Sequence, residues 1–270
     1  MVLEGVPKKE IPKRLWICIK DLKDVLMLKT SFKIYLAEHY PNLIKVKFRE
    51  GENLRWKGKK FKIPKAYALP ENPVEVYSKL AGIQSIPECK VELGDVVFDV
   101  GAYYGCFSYY ALEQGAREVY LFEPNPYVFE ILKKNCEIWG DRLKPFQIAL
   151  CNSKGTIELY IAKKTGYEST ILSENQRKNT LHKNFGYTEK ILVPSTTIDD
   201  FVREMNIEKV DFIKINAEGA EKFVIYGAKK TIKEFKPKMV IAAHHSPNDK
   251  FEIQKIVLSI EPSEIPQLDR

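Results

Sequence analysis

The run Val96-Val97-Phe98-Asp99-Val100-Gly101-Ala102-Tyr103-Tyr104-Gly105 constrains the fold of this chain more than any other stretch. A short apolar segment of strand character carries a carboxylate near its end, two glycines follow within five residues, and a helix-compatible segment begins at Cys106. A tight strand-to-helix turn of this kind lies over the carboxyl ends of an open α/β sheet, where such sheets bind their ligands. Gly101 can take backbone angles closed to other residues and offers no side chain to obstruct a ligand, while Gly105 lets the helix start close to the strand. The first amides of that helix then face the site.

The segments that follow support the same architecture. Strands are expected at 96–100, 118–122, 146–150, 191–193, 210–215 and 239–243, with an edge strand at 156–162. Helices are expected between them, at 106–114, 127–138, from Thr197 with its hydroxyl as cap, and at 220–234. This alternation specifies an α/β fold, a doubly wound, mainly parallel, Rossmann-like sheet. The polar stretch 163–190 is long enough to be a functional loop.

Ahead of this domain the pattern differs. Apolar residues recur at three- and four-residue spacing over 12–36, an amphipathic helix pattern, and Ile44, Val46 and Phe48 then alternate with lysines before Gly51 and Gly58. Two or three short strands are expected over 43–63 and a short helix near 74–82. The chain therefore divides into a small N-terminal α+β extension at 1–90, a main domain at 91–260 and an irregular tail at 261–270.

Charge follows that division. Of the 43 Lys and Arg and 36 Asp and Glu, residues 1–90 hold 19 and 10, so the net charge of +7 belongs to the N-terminal third. Such an excess suits a phosphate-bearing partner or a lysine-rich solvated face. The five cysteines are odd in number and lack a C-x-x-C pattern, which argues against a disulfide framework or a zinc site. The apolar stretch at Leu15 to Ile19 is too short for the core of a signal peptide and no run approaches a membrane span, so the expectation is a soluble, cytoplasmic protein.

Twenty-two residues beyond Gly101, at the tip of the second strand, stand Glu123, Pro124 and Asn125. A carboxylate there accepts hydrogen bonds from both hydroxyls of a ribose. Singly, Asp99, the glycines and Glu123 each have plainer readings as turn, cap or strand-end residues. In one β-α-β unit they argue for an adenosine ligand, either a nicotinamide dinucleotide or S-adenosylmethionine. A dinucleotide site needs the form G-x-G-x-x-G, and here Tyr103 occupies the middle position and would crowd a pyrophosphate. A sulfonium cofactor without phosphate tolerates aromatic neighbours and needs a carboxylate nearby, which Asp99 supplies directly or through water.

Phe98-Asp99-Val100-Gly101-Ala102 with Gly105 and Ser108, Phe122-Glu123-Pro124-Asn125, and Phe212-Ile213-Lys214-Ile215-Asn216-Ala217-Glu218-Gly219-Ala220-Glu221 together resemble the FkbM-type methyltransferases. The resemblance runs over roughly 90–245, in order, and takes in Ala149-Leu150 and Thr197-Ile198-Asp199-Asp200. It implies a class I, S-adenosylmethionine-dependent enzyme and O-methylation of a sugar, glycan, lipid-linked or natural-product acceptor. Carried over, Asp99, Gly101, Ala102, Tyr103, Gly105 and Phe107 would shape the methionine and loop side of the cofactor site. Glu123, with Pro124 and Asn125, would hold the ribose; Ala149 and Leu150 would border the adenine; Asn216 would also bind the cofactor. Asn216 departs from the family's usual aspartate and cannot act as a base. The residues after His245 are too few and too rich in proline for the customary C-terminal hairpin, so an abbreviated sheet is expected.

Methyl transfer to a hydroxyl needs alignment and removal of one proton. Candidate bases at strand tips are His244, foremost, then Glu218 and Lys214, with Glu221 and His245 nearby. Glu218, Glu221, His244 and His245 could compose a metal site, but methyl transfer requires none and none is assigned. Two rivals follow from the residues: an RNA methyltransferase whose basic extension, with Arg55, Trp56, Lys57, Lys59, Lys60 and Phe61, binds phosphates and stacks bases, and a non-catalytic cofactor-binding scaffold. Absence of the Asn-Pro-Pro-aromatic tetrapeptide argues against amino-group methylation, and a dehydrogenase remains the distant alternative.

Overall fold

A computed structural model of the chain describes residues 15–18, 53–56, 59–62, 65–68, 89–162, 168–178, 180, 183 and 186–262. Its centre is a six-stranded, wholly parallel sheet. In chain order the strands of that sheet are β1 (Leu15–Cys18), β4 (Val96–Val100), β5 (Glu118–Phe122), β6 (Leu143–Phe146), β11 (Phe212–Ile215) and β12 (Lys238–Ala242), and they lie side by side as β6-β5-β4-β11-β12-β1. The order reverses at β4: the chain winds outward through β5 and β6, then returns to the other side of β4 with β11. That reversal opens a crevice beyond the carboxyl ends of β4 and β11.

Period-two alternation assigns each strand residue to a face. Val97, Val119, Leu121, Phe212 and Val240 face α1 (Cys106–Glu113) and α2 (Pro126–Trp139), packing against Phe107, Ala111 and Leu132. Val96, Phe98, Val100, Tyr120, Phe122, Ile213, Ile215 and Ile241 face α4 (Ile198–Glu204), α5 (Glu221–Tyr226), α6 (Lys229–Phe235) and α7 (Asp249–Ile260). Phe201 of α4 meets the rings of Phe98, Tyr120, Phe122 and Phe146 nearly edge-on, at centroid distances of 4.8 to 5.9 Å. Both faces of the sheet are covered, as its near-continuous apolar strands require.

A second sheet stands beside the first. β7 (Ala149–Leu150), β8 (Gly155–Ala162), β9 (Glu168–Thr170) and β10 (Glu189–Thr196) lie in the order β7-β10-β8-β9 around Ala149, Leu159, Ile161 and Val193. The short α3 (Glu174–Arg177) follows β9. β2 (Asn53–Trp56) and β3 (Lys59–Lys62) form an antiparallel hairpin, in keeping with the short strands expected there.

Several expectations are corrected. The amphipathic reading over 12–36 placed a helix at Leu15–Cys18, where the backbone is instead the strand β1, paired in parallel with β12. The sheet does end at β12 on its C-terminal side among the described residues, and a segment from before the main domain takes the next position. The third strand is β6, earlier than 146–150, and Ala149-Leu150 belong to the second sheet, where β10 holds them in parallel register. The segment 156–162 is an inner strand, flanked by β10 and β9. The stretch 163–190 contributes β9, α3 and the start of β10 to packed structure rather than a single open loop. The helix expected at 220–234 breaks into α5 and α6 at Gly227, whose missing side chain admits the carbonyl of Cys151: a Cβ there would lie 2.0 Å from that oxygen. Helix α7 was unforeseen, although Ile253, Val257 and Ile260 recur at helical spacing and are buried. The remainder of the helix expected over 12–36, the strand residues Ile44, Val46 and Phe48, and the helix at 74–82 lie outside the described residues.

Candidate functional site

The crevice is held shut at its floor by one cross-strand pair. Asp99 of β4 and Lys214 of β11 are register partners on the same face, at the point where the strand order reverses. Asp99 is fully buried; its carboxylate accepts from Lys214 Nζ at 2.9 Å and from Ser108 Oγ of α1 at 2.7 Å. Lys214 Nζ also donates to the carbonyl of Gly101 at 2.7 Å and reaches that of Val100 at 3.4 Å. Surrounded by acceptor oxygens, Lys214 acts as a donor that ties the glycine loop to β11, which is the opposite of the proton acceptor expected of it. A buried carboxylate satisfied by both an ammonium and a hydroxyl is fixed in place.

Gly101 is required by the protein rather than by a ligand. Its φ is 71°, and a Cβ would lie 1.9 Å from the carbonyl oxygen of Asn216, so β4 and the segment after β11 approach backbone to backbone. The amides of Gly101 and Ala102 both donate to the carbonyl of Phe122 at 3.0 Å. Gly105, at φ 85°, makes room not against its own strand but for Leu132 and Trp139 of α2. Between them Tyr103 takes a left-handed φ of 52°, and its ring stacks on Tyr104 at 4.0 Å between centroids. Buried Asn135 of α2 donates to the carbonyl of Tyr104 and also binds the backbone of Tyr67 and Ala68. The segment before the main domain therefore braces the loop.

The strained turn at Tyr103 is held by Glu123. Glu123 is 5% exposed at the tip of β5; Oε2 accepts from the Tyr103 amide at 3.0 Å and Oε1 from the Asn125 amide at 2.9 Å. Burial pushes its carboxyl up to about 7, against the two amide bonds and the charge of Lys214, which pull it down. Each oxygen keeps a further lone pair for an incoming donor. Pro124 and Asn125 start α2: the Asn125 side chain caps it by accepting from the Tyr127 amide at 3.1 Å, and Pro126 fills the first turn.

On the other side of the crevice the Asn216-to-Glu221 segment leaves β11. Asn216 Oδ1 is buried with no hydrogen-bond partner among the described residues. Glu218 has a left-handed φ of 50°, and Glu221 accepts from the amides of Ala217 at 2.8 Å and Gly219 at 3.4 Å, closing the turn. His245, just past β12, sits between them: Nε2 is 3.5 Å from Glu218 Oε2 and Nδ1 is 3.3 Å from Glu221 Oε1. Burial works to lower its basicity, but the bonds to Glu218 and Glu221 outweigh burial and hold the imidazolium up to about 10. The ring of His244 lies 4.4 Å from that of His245. The second sheet meets this turn through Thr170 of β9, whose Oγ1 donates to the Glu218 carbonyl at 2.7 Å. Behind Thr170, the Arg177 guanidinium lies between the rings of Tyr160 and Tyr187, at 4.5 and 4.6 Å.

The structure thus gathers Asp99, Gly101, Ala102, Tyr103, Glu123 and Lys214 around the reversal point, with Asn216, Glu218, Glu221, His244 and His245 at the tips of β11 and β12. Phe107 is elsewhere: it is a core residue stacked on Phe212 under the sheet. Ala149 and Leu150 are buried in the packing around the second sheet. Sequence reasoning missed the importance of His245 relative to its neighbour, and of Asn135 and Thr170; strand alternation past β12, which turns His245 inward, was the available signal for the first. Among the described residues no group of three or more His, Cys, Asp or Glu side chains is arranged so that it could hold a metal ion, and no helix is long and apolar enough to cross a membrane.

A parallel sheet wound in both directions from β4, with a pinned glycine loop at the reversal and a carboxylate at the tip of the adjoining strand, defines a Rossmann-like, doubly wound α/β protein. Residues 99–267 match the methyltransferase FkbM domain, well over half of the chain, and the chain belongs to that family. It is 28% identical to methyltransferase sdnD of Sordaria araneosa over 154 residues, which cover 48% of this chain and 59% of that protein. It is likewise 28% identical to the 31-O-demethyl-FK506 methyltransferase FkbM of Streptomyces tacrolimicus over 154 residues, 50% of this chain and 59% of that one. With the 2-O-methyltransferase NoeI of Sinorhizobium fredii it shares 23% identity over 203 residues, 72% of this chain and 79% of that protein. The chain spans under two thirds of the length of the first two relatives.

Proposed function

We propose that this protein is an S-adenosylmethionine-dependent methyltransferase that acts on a hydroxyl of a small-molecule or glycan acceptor. The observation that carries the reading is Glu123: a buried carboxylate at the strand tip beside the reversal point, oriented by two backbone amides and with a lone pair to spare on each oxygen. Two adjacent hydroxyls, as on a ribose, are the donors that such a bidentate acceptor suits. The orphaned Oδ1 of Asn216 supplies a second buried acceptor across the crevice, fitted to an ammonium or amine donor. Asp99 and Lys214 neutralise each other and hold the loop, so their role is to position.

When bound, S-adenosylmethionine would supply a methyl group already activated by its sulfonium. The chain's own work is to align the acceptor, exclude water and take one proton. Glu123 and Asn216 would hold the cofactor, with the Gly101–Tyr103 loop beneath it. Of the residues at the strand tips, Glu218, His244 and His245 are the candidates proposed to handle the acceptor's proton. The names of two relatives, which specify O-methyl positions, favour a hydroxyl over an amine.

The test is methyl transfer from radiolabelled S-adenosylmethionine to a panel of monosaccharides, chito-oligosaccharides, polyketide alcohols and structured RNA. Label transferred to a hydroxyl compound is the expected result. Transfer to RNA alone would replace the acceptor class, and binding without transfer to any panel member would favour a scaffold.

A further inference from the structure

Resting on the reading of the chain as an S-adenosylmethionine-dependent enzyme, we propose that Asn135 is a positioning residue through which residues 65–68, ahead of the main domain, take part in binding the cofactor. Leu132, Asn135 and Trp139 stand at i, i+3 and i+7 on α2 and so share one face of that helix. The face lies against the glycine loop: a Cβ on Gly105 would lie 2.8 Å from both Leu132 Cδ1 and Trp139 Cζ3. The same helix also holds the incoming segment. Trp139 Nε1 donates to the carbonyl of Lys65, and Lys134 sets its Nζ 4.3 Å from the centre of the Tyr67 ring.

Asn135 joins the two. A carboxamide can donate two hydrogen bonds and accept two, and this one, fully buried, makes all four. Nδ2 donates to the carbonyls of Ala68 and Tyr104, each at 2.9 Å. Oδ1 accepts from the amides of Tyr67 at 2.7 Å and Ala68 at 3.2 Å. Three of the four bonds run to residues 67 and 68 and the fourth to the loop. Without the segment a buried amide would lose most of its partners, a state that costs the desolvation of each orphaned group. The orientation in which Asn135 holds the Tyr104 carbonyl is therefore fixed by the segment.

What Asn135 holds is the strained part of the site. Tyr103 keeps its left-handed φ of 52° between two clamps: Glu123 Oε2 takes its own amide at 3.0 Å, and Asn135 takes the carbonyl of the next residue. Such a turn persists only where its surroundings over-determine it. One clamp is the carboxylate assigned to the ribose, so a bound cofactor and a docked segment favour the same loop geometry. Two events that favour one conformation are linked, and the linkage is reciprocal: docking of 65–68 raises cofactor affinity, and cofactor tightens docking by the same factor. A residue that only filled the core would stabilise the fold without that coupling.

The experiment uses the full chain and breaks the contact from each side. Asn135→Asp keeps an acceptor for the Tyr67 and Ala68 amides but sets a second acceptor against the carbonyls of Ala68 and Tyr104. Tyr67→Pro combined with Ala68→Pro removes both amides that Oδ1 accepts and leaves the main domain unaltered. In calorimetry each should weaken S-adenosylmethionine binding about 10-fold, a usual size for coupled sites. All three substitutions together should lose little more than the worse of the two, because both act on one contact. In hydrogen exchange the wild-type amides of Tyr67 and Ala68 should slow about 10-fold at saturating S-adenosylmethionine, the factor that reciprocity requires. Wild-type affinity in the proline variant, or exchange at Tyr67 and Ala68 indifferent to the cofactor, overturns the proposal. Should Asn135→Asp fail to fold, the proline variant and the wild-type exchange still decide it. A wild type that binds no S-adenosylmethionine contradicts the proposed function instead. Exchange at the Tyr103 amide then tells whether the segment holds the loop: faster in the proline variant if it does, unchanged if it does not.

Discussion

At the scale of single residues, a few positions hold the site in its shape. Gly101 combines φ 71° with a 1.9 Å approach of a would-be Cβ to the Asn216 carbonyl. Gly101→Ala must therefore part β4 from the segment after β11, and should destabilise the fold by about 3 kcal/mol or more in urea unfolding. Glu123 carries the sharper pH signature. Its folded-state carboxyl is raised from 4.5 to about 7, so in the folded chain it binds a proton that the unfolded chain has already released. The resulting contribution to stability is full below about 4.5 and is lost as pH rises through 7. Glu123→Gln should flatten that decline in melting experiments across the same window; an unchanged slope would place the cause elsewhere. His245 has the same sign over a higher range: its stabilising protonation is complete below 6.5 and is lost as pH climbs toward 10.

At the scale of elements, α4 holds to the sheet through buried Ile198 and Phe201. Phe201 packs into four rings from β4, β5 and β6, so Phe201→Ala should cost about 3–5 kcal/mol and detach α4 from the sheet. A loss under 1 kcal/mol, measured by denaturant unfolding, would mean that the packing described for α4 is wrong. Elements of this kind were plain in the sequence because local signals agreed with the tertiary context. β5 was legible from the apolar run ending at Phe122, and α4 from Thr197, whose hydroxyl does accept from the Asp200 amide at 2.9 Å. Where tertiary contacts overrode local pattern, reading failed. Gly227 lies inside a helical periodicity, and only the carbonyl of Cys151, 76 positions earlier in the chain, explains why the helix must break there. Leu15 to Cys18 alternates poorly as a strand and fits a helix; its pairing with β12 is a long-range event that no local period announces.

At the scale of the whole molecule, the sheet is completed by a segment that precedes the main domain. Deleting residues 1–20 should expose the outer edge of β12, and hydrogen exchange at the β12 amides that face β1 should accelerate while β4 and β5 stay protected. Equal protection with and without the segment would contradict the pairing. The β4–β5 side of the crevice was legible because Asp99, Gly101 and Glu123 sit at spacings dictated by strand-turn-helix geometry. The β11–β12 side was less so: His244 and His245 are adjacent in sequence, and only the alternation past β12 and the position of Glu221 decide which one is enclosed. The most direct test of the whole account is calorimetric titration of S-adenosylmethionine into the wild type and Glu123→Ala at pH 8. Saturable binding with a single site, weakened about 10- to 100-fold in the variant, is the result expected from loss of a buried charge-assisted acceptor. Absent binding to the wild type, or undiminished binding to Glu123→Ala, would contradict it.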